Sequence, residues 1–195
     1  TALLCLLLTS LAGFSTPAQT VKHMVVVGVD GLSPDGVRKS QVPHLNQLMK
    51  DGAWTLKARG VMPTSSSPNW ASMIMGAGPE QHGVTSNDWK TNKFEIPPTV
   101  VGPGGIFPTI YGVLRQQQPK AVIGVFHDWG DYGRLLERHM VDVIENPQGP
   151  TNTVLRAIDF IKNRKPTFTF IHLDHVDHAG HHDGHGTPAY YDSVG

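Results

Sequence analysis

Residues 23–31 read His-Met-Val-Val-Val-Gly-Val-Asp-Gly. The run His23–Val29 is β-branched and apolar at successive positions, so both of its faces are apolar. That pattern predicts a strand buried on both sides, as in a parallel sheet. It stops at Asp30-Gly31, a punctuation that suits a strand end. Two further apolar runs have the same character: Ala121–Phe126, and Thr167–Leu173, which ends at Asp174.

Helical spacing separates these runs. Leu45, Leu48 and Met49 fall on one face of Pro43–Lys50, with Asp51-Gly52 after it. Pro68–Met75 reads as a short helix with proline in its first turn. Ile110–Gln117 is a predicted helix, and Ile96–Pro108, rich in Pro and Gly, a loop. Thr151–Asn163 aligns Val154, Leu155, Ile158 and Ile161. Thr187-Pro188 has the form of a cap and first residue of another helix. Strands alternating with helices predict an α/β fold: a mostly parallel sheet with helices on both faces.

Composition narrows the function. The chain has 195 residues, 39% hydrophobic and 16% charged, which suits one globular domain. Lys+Arg and Asp+Glu are balanced at 16 each, so no net field favours nucleic acid as a stable partner. Residues 2–11, ALLCLLLTSL, are apolar but too short to span a bilayer. With Thr16-Pro17-Ala18 following, residues 1–18 read as a clipped secretory signal peptide, giving a secreted or periplasmic protein without a transmembrane segment. A buried first helix is the alternative. The sole cysteine, Cys5, lies inside that segment, so a processed chain would have no disulfide and no thiol catalysis.

Three constellations carry chemistry. Asp30 sits where the first strand ends, the place at which open α/β sheets build sites. It can bind a metal or cap a turn. Residues 63–70, Pro-Thr-Ser-Ser-Ser-Pro-Asn-Trp, set hydroxyls before a proline-started helix. The free N–H groups there favour an anion, and a hydroxyl is placed to attack phosphorus or sulfur. A simple helix cap accounts for the same residues. Residues 174–186, Asp-His-Val-Asp-His-Ala-Gly-His-His-Asp-Gly-His-Gly, hold five of the chain's 11 histidines. Imidazole and carboxylate suit zinc and similar ions, and Ala179-Gly180 lets Asp177 and His181 turn toward one ion. A solvated polar loop is the competing reading.

In order and spacing, these segments resemble the alkaline phosphatase superfamily, most closely its type I phosphodiesterase/nucleotide pyrophosphatase branch. The carriers are Val29-Asp30-Gly31, the segment from Pro63 to Asn69, residues 75–83 (Met-Gly-Ala-Gly-Pro-Glu-Gln-His-Gly), and Asp177-His178-Ala179-Gly180-His181. The resemblance implies an alkaline phosphatase-like catalytic domain, of which residues 19–195 form the N-terminal part. It implies phosphate ester hydrolysis, of diesters or monoesters, at a site with two divalent metal ions, zinc being the expected ion. Ser66 would be the nucleophile and form a seryl-phosphate. Asp30 and Ser66 would bind one metal, and Asp177 and His181 the other. Asn69 would hold a non-bridging oxygen of the small phosphate ester. Further ligands of that family, an Asp-His pair and a His, would follow Gly195, so the 195-residue chain is expected to be inactive or nearly so. A sulfatase fits as far as Ser66-Ser67-Pro68, but Trp70 stands where an arginine is required. A secreted His-rich protein that binds metal without catalysis is the reading from a different class. His127–Tyr132, following the second strand, is placed to stack an aromatic leaving group or to pack as a surface loop.

Overall fold

The computed structural model describes residues 21–195. The predicted signal peptide, residues 1–18, lies outside them. Four strands form one sheet: β1 (Met24–Val29), β2 (Ile123–His127), β3 (Val143–Glu145) and β4 (Phe168–Leu173). Their spatial order is β1-β4-β2-β3, and every pairing is parallel. Eight α-helices join them: α1 (Pro34–Lys39), α2 (Pro43–Asp51), α3 (Ser66–Met75), α4 (Pro79–His82), α5 (Ile110–Gln117), α6 (Pro150–Arg164), α7 (His175–Ala179) and α8 (Pro188–Val194). Short 3₁₀ turns occupy Gly130–Arg134 and Arg138–Met140, and a π-helical turn covers Gly180–Gly184.

Strand alternation divides the core in two. Ile123 and Val125 of β2, with Phe168 and Phe170 of β4, face a large cluster that includes Trp70, Ile74, Tyr111, Tyr132 and Leu135. Phe126 and Ile171 face the other way, onto Ala157 and Phe160 of α6. Gly124 is needed there, because a Cβ would stand 2.3 Å from the Phe160 ring. Helices therefore cover both faces, as the sequence predicts.

The helix caps follow from sequence. Ser33 accepts from the Gly36 N–H at 2.9 Å, and Thr109 accepts from the N–H groups of Tyr111 and Gly112. Thr187 caps α8 as predicted, accepting from the Tyr190 N–H. Two expectations change. Helix α3 begins at Ser66 instead of Pro68, so the serine cluster is the helix start itself. And β1 is not buried on both faces. It is an edge strand, with Val25 47% and Val27 57% exposed on the face turned from the large cluster, because no described residue packs over them.

One buried histidine gives the fold a pH dependence. His82 of α4 is 1% exposed. Its Nδ1 accepts from the Val84 N–H at 3.0 Å, which leaves Nε2 as the protonated nitrogen facing Ser72 Oγ at 2.9 Å. Burial pushes this imidazole down to about 4, against the ordinary 6.5, while the nearby Glu80 opposes the shift weakly. The folded state thus rejects a proton that the unfolded chain accepts. Stability is complete above about pH 6.5 and is lost as pH falls toward about 4. Melts at pH 7.5 and pH 5 should differ by about 1–2 kcal/mol from this residue. His82→Asn should be less stable at pH 7.5 and show a shallower slope; an unchanged slope would contradict the assignment.

Candidate functional site

The carboxyl ends of β1, β4 and β2 gather the polar side chains. Asp30 follows β1 directly. Its Oδ1 accepts from the Gly31 N–H at 3.0 Å, and its Oδ2 accepts from Trp70 Nε1 at 2.8 Å. Trp70 can reach because β1 carries Gly28 beneath it: a Cβ at Gly28 would lie 2.4 Å from the indole ring. Burial works to raise the Asp30 carboxyl. The neighbouring His172, Trp70 and Ser66 outweigh it, so the group is held below the ordinary carboxylate value. Asp30 and Ser66 are therefore neighbours, one from a strand end and the other from the first position of α3.

Gly31 sets the next contact. Its φ is +72°, and a Cβ there would stand 2.4 Å from the Asp177 Cα. Only glycine lets α7 approach β1 so closely. That approach brings Asp177 toward Asp30, and Asp177 Oδ2 lies 3.5 Å from His181 Nε2. Gly31, Asp177, His181, His185 and Tyr190 share the walls of an open cavity of about 310 Å³. The hydroxyl of Tyr190 fixes this corner, donating to the Gly31 carbonyl at 2.7 Å.

The carboxylates here are short of positive charge. Burial raises both Asp174 and Asp177, and for each the Asp30 carboxylate adds to the rise while His172 opposes it. His172 is fully buried and neither ring nitrogen has a partner. Asp30, His172 and Asp174 each offer a donor atom within 4.8 Å of the others. Crowded acids beside an unpartnered imidazole are a donor set that fits a divalent cation.

The predicted residues are thus distributed as follows. Asp30 and Ser66 come together, as do Asp177 and His181, and Gly31 joins the two pairs. Asn69 spends its amide on the loop before α3: Oδ1 accepts from the Val61 N–H at 2.8 Å, and Nδ2 donates to the Ser65 and Pro63 carbonyls at 2.9 and 3.3 Å. The Ser67 N–H is taken by Asn87 Oδ1 at 2.8 Å. Of the aromatic pair after β2, Tyr132 is core, stacked on Phe170, whereas Trp129 is half-buried beneath the Arg134 guanidinium and close to His172. Asp174 opens the Asp/His stretch singled out from the sequence, whereas His172, inside β4, carries no motif. A two-residue alternation from a glycine-bearing neighbour strand was the available signal.

Residues 24–103 match the sequence model of the type I phosphodiesterase/nucleotide pyrophosphatase family. Bovine (Bos taurus) bis(5'-adenosyl)-triphosphatase ENPP4 is 31% identical over 81 residues, 42% of this chain and 18% of its own length. Human ectonucleotide pyrophosphatase/phosphodiesterase family member 1 is 23% identical over 211 aligned positions, covering 89% of this chain and 19% of its own. Among solved structures, an inactive variant of murine ectonucleotide pyrophosphatase/phosphodiesterase 5 in complex with AMP superposes with a TM-score of 0.70 at 20% identity, over 89% of this chain and 48% of that one. Phosphonoacetate hydrolase from Sinorhizobium meliloti 1021 superposes with a TM-score of 0.61 at 16% identity, over 88% and 50%. The chain thus spans about a fifth of the length of these curated relatives and about half of the solved chains. Residues 24–103 are thus similar to the type I phosphodiesterase/nucleotide pyrophosphatase family, and the described residues share their fold with about half of the murine ectonucleotide pyrophosphatase/phosphodiesterase 5 chain.

Proposed function

We propose that this chain carries the nucleophile-bearing half of a secreted or periplasmic, divalent-metal-dependent hydrolase of small phosphate esters. The observation that carries the reading is the pairing of Ser66 with Asp30. A hydroxyl at the first position of a ten-residue helix stands beside a carboxylate at a strand end. The relatives' names, a bis(5'-adenosyl)-triphosphatase and nucleotide pyrophosphatase/phosphodiesterases, favour a nucleotide diester or pyrophosphate as substrate.

Asp30 and Ser66 would hold one metal, and Asp177 and His181 a second, with zinc the expected ion. Bound there, the ions supply Lewis acidity and neutralise developing charge at phosphorus. The chain's own residues do the rest. Asp30 orients the Ser66 hydroxyl. The Ser66 oxygen bonds to phosphorus as the ester oxygen leaves, giving a seryl-phosphate, and water then breaks that bond. The N-terminus of α3 favours the anionic phosphoryl group. Asn69 keeps the 61–65 loop closed on α3, and its Nδ2 can exchange a loop carbonyl for a phosphoryl oxygen. Among the described residues no helix is long and apolar enough to cross a membrane.

The test is hydrolysis of a nitrophenyl phosphodiester and of a dinucleoside polyphosphate by the product of the complete open reading frame, with and without a chelator. Chelator-sensitive turnover is the expected result. Metal binding without any ester hydrolysis would favour a metal-binding protein without catalysis.

A further inference from the structure

Parallel strands begin at one end of a sheet and finish at the other, so the segments entering β1, β2 and β4 meet on one surface. That surface is basic. Lys22 comes just before β1, Lys120 before β2 and Lys165 before β4, and Lys162 and Arg164 stand in the last turn of α6. His23 Nδ1 donates to the Pro166 carbonyl at 2.6 Å, which ties the β1 entry to the β4 entry. All five cations are exposed, and among the described residues none of them forms an ion pair.

The acids nearby are occupied. Asp142 accepts from Arg115 Nη2 and from the Ile123 N–H, both at 2.7 Å. Asp159, one turn back in α6, accepts from Asn163 Nδ2 at 2.8 Å and lies 3.9 Å from Arg156 Nη1. The carboxyl ends of the strands hold Asp30, Asp128, Asp174 and Asp177 instead. A chain whose 16 cations and 16 anions cancel overall is thus oppositely charged at the two ends of its sheet. Lys162 and Arg164 offset the negative C-terminal end of α6. Lys22 and Lys120 belong to no helix, so helix ends do not account for them.

The same end presents apolar side chains to water. Val21 is 67% exposed and Met24 47%, and Ile110 and Val113 of α5 are exposed with them. These four line one open groove of about 310 Å³. Gln118 and Thr167 line it too, and they also line a second groove bordered by Lys120. Cations and apolar groove therefore form one continuous surface. Cations alone would suit any polyanion. Exposed valine, isoleucine and methionine beside them add nothing for a soluble polyanion, but they can sink among the headgroups of a bilayer.

We propose that this amino-end surface of the sheet binds an anionic bilayer. Lys22, Lys120, Lys162, Arg164 and Lys165 meet the headgroup phosphates, and Val21, Met24, Ile110 and Val113 enter the interface. The inference goes beyond the hydrolase reading and uses none of its residues. It also orients the protein: with the amino end of the sheet on the bilayer, the Asp30–Ser66 end faces the aqueous phase.

The test is co-sedimentation of the complete gene product with vesicles of equimolar phosphatidylglycerol and phosphatidylcholine. The protein is expressed from Gln19 onward, so that the apolar run at residues 2–11 cannot itself insert. Binding is expected in dilute buffer, with loss in ~0.5 M NaCl and little binding to phosphatidylcholine alone. Lys22→Gln with Lys120→Gln should weaken it about 10- to 30-fold, since each cation at an anionic surface is worth about a five-fold gain in partitioning. Val21→Ser with Val113→Gln should weaken vesicle binding about 3-fold or more while leaving binding to heparin unchanged. Both double variants should hydrolyse a soluble nitrophenyl diester like the parent.

No binding to the anionic vesicles would overturn the inference. So would equal binding to phosphatidylcholine alone, or an affinity unmoved by Lys22→Gln with Lys120→Gln in a protein whose circular dichroism matches the parent's. Heparin binding as tight as vesicle binding, with neither changed by Val21→Ser and Val113→Gln, would assign the surface to a soluble polyanion and overturn the bilayer assignment. Vesicle binding is read without substrate, so an outcome against Ser66 as nucleophile leaves this result standing, and failure to bind vesicles leaves the hydrolase reading standing.

Discussion

Replacing Ser66 by alanine should lower phosphodiester turnover by the complete gene product by about 10³-fold or more. The size follows from the role: without the hydroxyl no seryl-phosphate can form, and only direct attack by water remains. The structural cost should be small. Ser66 is half-buried at the first position of α3, while the helix cap position is Ser65 and the buried hydroxyl is that of Ser67. The Ser67 side chain, not that of Ser66, meets the Arg134 guanidinium, at 3.3 Å. Ser66→Ala should therefore melt within about 0.5 kcal/mol of the parent. A rapid burst of nitrophenol in the parent, absent from the variant, is the kinetic sign to look for. Turnover within a few-fold of the parent would remove Ser66 from the nucleophile's place, and Ser65 would be examined next.

The same comparison shows what a sequence makes legible. The parallel sheet and its three long strands were readable because β-branched runs end at Asp-Gly or Asp, and the helices between them keep a 3.6-residue period. Helix α5 occupies the predicted residues, and α2 and α6 differ by a residue or so at their ends. What escaped is what lacks period. Strand β3 has three residues, and its place on the sheet comes from pairing Gly124–Phe126 with Val143–Glu145. Helices α1, α4 and α7 have six, four and five residues, too few for any face to repeat. The exposure of Val25 and Val27 depends on which strand stands at the edge, a long-range property absent from the local run.

The site divides along the same line. Asp30, Ser66, Asp177 and His181 stood out because each lies in a short motif. His172 did not, and neither did the approach of Asp174 to Asp30, since both run through the register of β1 on β4, which joins residues far apart in the chain. Asn69 shows the opposite limit. Its motif suggested a contact with substrate, while its hydrogen bonds go to the 61–65 loop, and the competition between carbonyl and phosphoryl acceptors is invisible in either sequence or spacing.

Trp70 is where packing and the site meet, and its substitutions should separate the two. It is 3% exposed and meets Tyr132 and Phe170 edge-on, at 6.0 and 6.2 Å. Trp70→Ala should cost about 3–5 kcal/mol, a large fraction of the stability of a domain of this size. Trp70→Phe keeps most of the ring but removes the N–H that Asp30 accepts, so about 1–3 kcal/mol is expected, together with weaker metal binding. Gly28 supplies the decisive control. In the parent, Gly28→Ala drives a methyl to 2.4 Å from the indole and should cost about 1–3 kcal/mol. In the Trp70→Ala background that space is open, and the same methyl fills part of the cavity on a strand that prefers any side chain to none. The Gly28→Ala change should then be neutral or stabilising, so the double variant unfolds at a higher denaturant concentration than Trp70→Ala alone. Additive losses in this cycle would mean that Gly28 is held by something other than Trp70, and the account of how Asp30 is positioned would have to be rebuilt.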